Sequence, residues 1–319
     1  MADLTFLVQH TMLFSIPLLV VALAAMFSEH SGVINIGLEG TMVIGAFFST
    51  LYIYMMNQQE SFHSGQVLFF AILIAALTGM LYSAFHAFAC VNMLSDQTIS
   101  GTALNLFATA FSIYMARSII GVQQVSFTGD FRIDKIPLFG DIPIIGPMLF
   151  QNTYITTFLG ILILLISHFV LYKTRFGLRL RSAGEFPQAT DAASVSVTKI
   201  RWAGVLISGL LAGFGGLAYI LPITTEFNGN VSGYGFLAIA VLIFGQWKPK
   251  KIAFAAFFFG FLKAVSSSYS GIAFFYNLGI PRVIYQILPY LITILVLFLA
   301  SDQSHAPSAE GQAFDQGKR

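Results

Sequence analysis

This sequence predicts an all-α polytopic membrane protein, and three observations carry that expectation. Hydrophobic residues make up 56% of the chain and charged residues only 9%, where soluble domains carry roughly 25% charged residues. The apolar residues gather into nine runs, most of them close to the ~20 residues a helix needs to cross a bilayer core. The 33 Phe and 28 Gly suit helices packed against one another and against lipid.

The same numbers exclude other classes. A net charge of +2 is too small to imply nucleic acid as a partner. The single cysteine, Cys90, excludes an internal disulfide framework and most zinc sites; it lies in an apolar run and reads as a packing residue. The first apolar run has no basic region before it and no small-residue cleavage site after it, so it is expected to stay in the mature protein. His86 and His168 also lie in apolar runs and read as packing residues rather than ligands, since neither has a second His at metal spacing.

Taken in order, the spans are expected at about residues 6–27, 33–56, 66–91, 102–120, 154–172, 202–221, 234–247, 252–268 and 283–300. The seventh is short, so it should be tilted, broken or extended by its neighbours. Residues 57–65 read as a polar loop with Glu60 and His63. Residues 121–153 hold three Pro and five charges and read as a solvent-facing loop. The most charged stretch runs from Lys173 to Arg201. The tail, residues 301–319, is polar and expected to be disordered.

Basic residues set the orientation. Lys173, Arg175, Arg179, Arg181, Lys199 and Arg201 share one loop, Lys248, Lys250 and Lys251 another, and Lys318 and Arg319 lie in the tail. Nine spans put all three regions on one side. The N-terminus is then outside and the C-terminus cytoplasmic, 121–153 is an extracellular loop, and 301–319 is a cytoplasmic tail.

Two polar insertions interrupt the apolar pattern. The first, Ser31 to Ala46, carries Asn35 and Glu39, which share a face if the segment is helical, and Gly32, Gly37, Gly40 and Gly45, which admit a close backbone. A carboxylate inside a span is expensive and faces either a protein interior or a wet cavity; both readings stay open for Glu39. The second, Asp96 to Asn105, brings Thr98, Ser100, Gly101 and Asn105 to the start of the fourth span. These residues serve either as helix caps and an interhelical contact or as lining of a path. In the sixth span Ser208, Gly209, Ala212, Gly213 and Gly216 form a small-residue packing face. The glycine-flanked entries near 31–46 and 229–245 occupy comparable places in the two halves and hint at an internal repeat.

These motifs resemble the permease subunits of bacterial ABC importers for nucleosides and simple sugars. That family reads S-G-V-x-N-I-G-L-E-G-M-M where this chain has Ser31, Gly32, Val33, Asn35, Ile36, Gly37, Leu38, Glu39 and Gly40, with Thr41 for the usual Met. It reads I-S-G-x-A-L-N where this chain has Ile99, Ser100, Gly101, Ala103, Leu104 and Asn105. Gly233 to Gly245 is similar to a third family motif. The related branched-chain amino acid and ribose permeases differ at the first motif, which favours the nucleoside branch. The resemblance implies a permease domain over residues 1–300 in the bacterial plasma membrane and a translocation path with Asn35, Glu39, Gly40, Ser100, Gly101 and Asn105 as candidates.

It also implies that 173–201 is a cytoplasmic loop that couples the permease to an ATPase. The family pattern R-A-x-G-E-N-P-x-A-A is matched by Arg181, Gly184, Glu185, Pro187 and Ala189. Phe186, Thr190 and Ser194 depart from the usual Asn, Ala and Gly. Pro187 suits the first turn of a short helix reaching about Ser194. No G-x-x-x-x-G-K-[ST], H-E-x-x-H or G-x-S-x-G motif occurs, so no catalytic residue, metal or cofactor is assigned to this chain. ATP and Mg would belong to a separate ATPase subunit. A second homologous permease and an extracellular substrate-binding lipoprotein complete the implied partners, with membrane lipid around them. A simple-sugar importer is the first alternative. An ion-driven secondary transporter is the second, disfavoured because Glu39 is the one acid placed well inside an expected span.

Overall fold

A computed structural model describes residues 2–58, 64–129, 131–143, 145–269, 281–300 and 306–314. The expected loop residues Glu60 and His63 and the tail residues 301–305 and 315–319 lie outside that range.

The chain is a helical bundle built around its first helix. α1 (Ala2–Glu29) is apolar on all sides, and Leu18 to Met26 are without solvent exposure. A helix of that composition belongs in the middle of a bundle. It is packed by α5 (Ile155–Lys173), α8 (Val197–Ile223), α9 (Tyr234–Phe244) and α10 (Pro249–Ser268). Around this core run α2 (Leu38–Asn57), α3 (Ser64–Ala87), which ends in a π-helical turn over Phe88–Asn92, and α4 (Gln97–Ile120). α6 (Arg175–Glu185) and α7 (Pro187–Ala192) are short amphipathic pieces between α5 and α8, and α11 (Arg282–Ala300) closes the order. Among the described residues seven helices are long and apolar enough to cross a membrane, whereas α9, at 11 residues, is too short to do so alone.

The small residues of α8 set how closely its neighbours approach. A Cβ on Gly79 of α3 would sit 2.6 Å from the Gly213 Cα, and one on Gly45 of α2 would sit 2.5 Å from the same atom. Three backbones therefore meet at Gly213, which only glycine permits.

Three expectations change. The second span was expected to be helical from residue 33, but the helix begins at Leu38, and residues 30–37 form an irregular connection. Asn35 and Glu39 therefore do not share a helical face. Thr98 and Ser100 were candidate caps of α4, yet Asp96 is the cap, its side chain accepting from the Ile99 N–H at 2.9 Å. Within 121–153, β1 (Val125–Ser126) pairs antiparallel with β4 (Glu226–Phe227), and β2 (Arg132–Lys135) with β3 (Gln151–Tyr154). These pairings satisfy backbone groups that an open loop would leave to water.

Candidate functional site

The break between α1 and α2 organises the polar residues. Peptide groups that leave a helix inside a membrane domain must find partners from the protein. The Ile34 N–H donates to Gln97 Oε1 at 2.7 Å, and the Ile34 carbonyl faces His86 Nε2 at 2.9 Å. His86 Nδ1 lies 3.0 Å from Ser100 Oγ. Asn105 works in both directions: its Oδ1 accepts from the Gly40 N–H at 2.7 Å, and its Nδ2 donates to the Ile36 carbonyl at 2.9 Å. Asn35 Nδ2 donates to Ser208 Oγ on α8 at 3.0 Å. Side chains from α3 and α4 thus replace the bonds that a continuous helix would have made, and Ser208 of α8 holds the Asn35 side chain.

The glycines are needed because α4 crosses this break at backbone contact. A Cβ on Gly40 would lie 2.9 Å from the Asn105 Cα, and one on Gly101 would lie 2.8 Å from the Gly37 nitrogen. The structure therefore brings Asn35, Gly40, Ser100, Gly101 and Asn105 to one place. Asn35, Gly40 and Gly101 are buried there, while Ser100, Asn105 and Glu39 are part-exposed.

Glu39 points elsewhere, to the start of α9. Its Oε1 accepts from the Gly233 N–H at 2.8 Å and its Oε2 from the Gly235 N–H at 2.6 Å. Glu39 also lies in the first turn of α2. Two helix N-termini therefore meet on one carboxylate, where unpaired N–H groups and both helix dipoles favour negative charge. Gly233 holds φ +75°, a left-handed conformation that glycine adopts without strain.

The second cluster lies along the 173–201 loop. Thr174 caps α6, accepting from the Gly177 N–H at 3.2 Å. Arg181 lies over the Tyr172 ring at 4.9 Å. Gly184 has no room for a side chain, since a Cβ there would be 2.9 Å from the His30 carbonyl carbon. Pro187 opens α7 and is buried; Ala189, Gln188 and Phe186 face outward, Phe186 at 60% exposure. α7 ends at Ala192, and Ser194 takes φ +60°, the conformation for which the family's usual glycine is suited.

The tail corrects the last expectation, because residues 306–314 are folded onto this loop. Ala309 is buried, and its N–H donates to the Gly184 carbonyl at 2.8 Å. Ser308 Oγ donates to Glu185 Oε2 at 3.0 Å, and the Gly311 N–H to the Gly32 carbonyl at 3.2 Å. Arg201, 1% exposed, donates from Nη1 to the Gln312 carbonyl at 2.8 Å. The Glu310 carboxyl faces Glu29, a second buried acid whose Oε2 accepts from Trp247 Nε1 at 2.5 Å. Burial raises the Glu310 pKa to about 7. Burial likewise holds the His30 imidazole below the ordinary histidine range.

Sequence reasoning missed His86, Gln97, Ser208, Glu29 and Arg201 as members of these clusters. His86 and Ser208 had been assigned to packing, and Arg201 to a basic loop. Polar residues standing at apolar positions were the available signal; which backbone atoms they serve is set by the fold.

The proteins described as "Branched-chain amino acid transport system / permease component" share one sequence pattern, and it matches residues 7–297 of this chain. The chain belongs to that permease family. It is 40% identical over 318 residues to the guanosine ABC transporter permease protein NupQ of Bacillus subtilis, covering 99% of this chain and 98% of that protein. It is 37% identical over 319 residues to the nucleoside ABC transporter permease protein NupC of Lactococcus lactis subsp. cremoris, with the same coverage. A putative glucose ABC transporter permease protein, TsgC13 of Haloferax volcanii, is 32% identical over 78% of this chain and 73% of its own length. The permease is a multi-pass membrane protein, with the helix break at residues 30–37 and the folded tail as its two polar centres.

Proposed function

We propose that this permease is the membrane-spanning subunit of an ATP-driven nucleoside importer that works by alternating access. The observation that carries the reading is its end-to-end match to two permeases whose names specify guanosine and nucleoside transport. ATP and Mg are bound by a separate ATPase subunit, which docks on the 173–201 loop through the outward face of α7. A second homologous permease completes the pathway, and an extracellular lipoprotein delivers the nucleoside. Nine spans, with α9 and α11 counted, put the N-terminus outside and the loop, Lys248 to Lys251 and the tail in the cytoplasm.

In this reading Glu39, Ser100 and Asn105 face the path from its wall. Asn35, Gly40 and Gly101 hold that wall together. One side of α4 supports the placement of Asn105: Thr98, Thr102 and Thr109 share its helical face and are all exposed. A threonine stripe suits a partner subunit or a wet path better than lipid tails.

The test is uptake in a host without its own nucleoside importers. The permease is expressed with a candidate ATPase, a second permease and a substrate-binding lipoprotein from the same organism. Uptake of labelled guanosine is expected, lost when the ATPase phosphate-loop lysine is replaced. Sugar uptake in its place would restore the simple-sugar reading, and nucleoside uptake that survives the lysine replacement would restore the ion-driven one.

A further inference from the structure

We propose that residues 306–314 act as a positioning strap in transport, tying the ATPase-docking loop to the unwound connection between α1 and α2. The inference rests on the coupling role proposed above for the loop.

Four attachments carry it. At one end Ala309 and Ser308 bind Gly184 and Glu185, the last residues of α6. At the other end the Gly311 N–H binds Gly32 in the connection, and a Cβ on Gly311 would touch Ile34 at 2.9 Å. Next to Gly311, the Gln312 carbonyl accepts from Arg201 of α8. Under the strap, Glu310 is set against Glu29 at the end of α1. The strap thus spans the junction where Gly184 already rests on the His30 backbone.

The connection leads directly into the broken-helix site. Ile34 is held by Gln97 and His86, Asn35 by Ser208, and four residues on Glu39 receives the N-terminus of α9. A displacement of α6 by a docked ATPase is therefore passed to the α2 and α9 N-termini through two backbone bonds of the strap, the connection itself and the Glu39 carboxylate.

The groups beneath the strap make it releasable rather than fixed. Arg201 Nε and Nη2 and Glu310 Oε2 are buried and have no hydrogen-bond partner among the described residues. Desolvating charges without full compensation works against docking. The strap therefore stays in place only while its backbone attachments fit both the loop and the connection, and this makes it sensitive to their relative position.

The test uses Ala309→Asp, which puts a charge into a buried contact, and Gly311→Val, which places a branched residue at φ +75° at the opposite end. Each is assembled with its partner subunits in liposomes. Co-purified ATPase, nucleoside uptake and ATP hydrolysis are then measured. The expected result is parent-level ATPase association with uptake per ATP reduced about fivefold or more, the low end of coupling between sites. Gly311→Val gives the reading if Ala309→Asp does not accumulate. An unchanged uptake per ATP, with the strap shown to be released by thiol labelling of the buried position Pro307→Cys in a Cys90→Ser background, overturns the proposal. Loss of ATPase binding in either variant also overturns it, because the segment would then be part of the dock itself. Failure of the coupling reading is separate, and is seen as normal ATPase association in Ala189→Asp.

Discussion

Glu39 and Gly235 are joined by a 2.6 Å hydrogen bond from backbone to carboxylate, and this bond ties the start of α2 to the start of α9. A Cβ on Gly235 would lie 2.5 Å from the Glu39 nitrogen, so the approach depends on glycine. The two glycine-flanked segments that looked like counterparts in the sequence are direct partners in space.

Replacing Glu39 tests that junction. Glu39→Gln keeps the shape but offers one acceptor oxygen to two N–H groups, so it should cost about 1–3 kcal/mol, the range for one buried group left unsatisfied. Glu39→Ala leaves both unpaired and should cost more. Thermal melting in detergent measures the loss. Uptake should fall in Glu39→Ala and in Asn35→Leu; parent-rate uptake in both would remove any transport role for these two side chains.

The crossing of α2 and α4 should tolerate no added methyl. Gly40→Ala places a Cβ 2.9 Å from both the Asn105 Cα and the Leu104 carbonyl oxygen, atoms of a helix backbone that cannot rotate away. Overpacking of this kind costs about 1–3 kcal/mol. Gly65, where a Cβ would meet nothing within 4 Å, is the control: Gly65→Ala should melt with the parent protein.

On α7, Ala189→Asp tests the docking face. Ala189 is exposed, so the fold should bear the charge, while a packed interface would have to desolvate it at a cost of several kcal/mol. ATPase co-purification and uptake should both be lost. Ala306→Asp, at an exposed tail position, adds the same charge as a control and should leave both unchanged. Normal association and uptake in Ala189→Asp would end the coupling assignment.

Ser194 offers a gain of stability. Its φ of +60° costs an L-residue about 1–2 kcal/mol, which glycine avoids at the expense of a looser unfolded chain. Ser194→Gly should raise stability by a few tenths of a kcal/mol to about 1 kcal/mol. A lower melting temperature than the parent would contradict the left-handed geometry at the end of α7.

Docking of residues 306–314 should depend on pH with a defined sign. The Glu310 pKa is raised from 4.5 to about 7 by burial, so the docked state holds its proton more tightly than the free segment does. Docking is then fully favoured below about 4.5 and weakens as pH rises through about 7. The charged and titratable groups around it are Glu29 and His30 on the α1 side, Arg181 and Glu185 on α6, and Arg201 on α8. Thiol labelling of the buried position Pro307→Cys in a Cys90→Ser background is taken relative to the exposed Ala306→Cys at each pH, so that thiolate formation cancels. This relative rate should speed up between about pH 4.5 and 7, and Glu310→Gln should flatten that rise. A flat profile in the unsubstituted Glu310 protein would mean that the carboxyl pair does not govern docking.

Composition and periodicity alone determined that this chain is a helical membrane protein, because apolar runs of bilayer length and few charges have no soluble solution. The short seventh span, the small-residue face of α8 and Pro187 at the start of α7 were legible for the same reason, since each is a local property of a few neighbouring residues. The break at residues 30–37 was not legible. Asn35 and Glu39 stand at helical spacing, and only tertiary partners 52 to 173 residues away make an unwound backbone more favourable there than another turn of helix. The tail is the converse case: its polar composition predicts disorder, but Gly184, Gly32 and Arg201, far apart in sequence, present it with backbone acceptors and a buried donor. Which surfaces meet is decided by the folded bundle, because hydrogen-bond partners for exposed-looking polar segments exist only once the helices have been assembled.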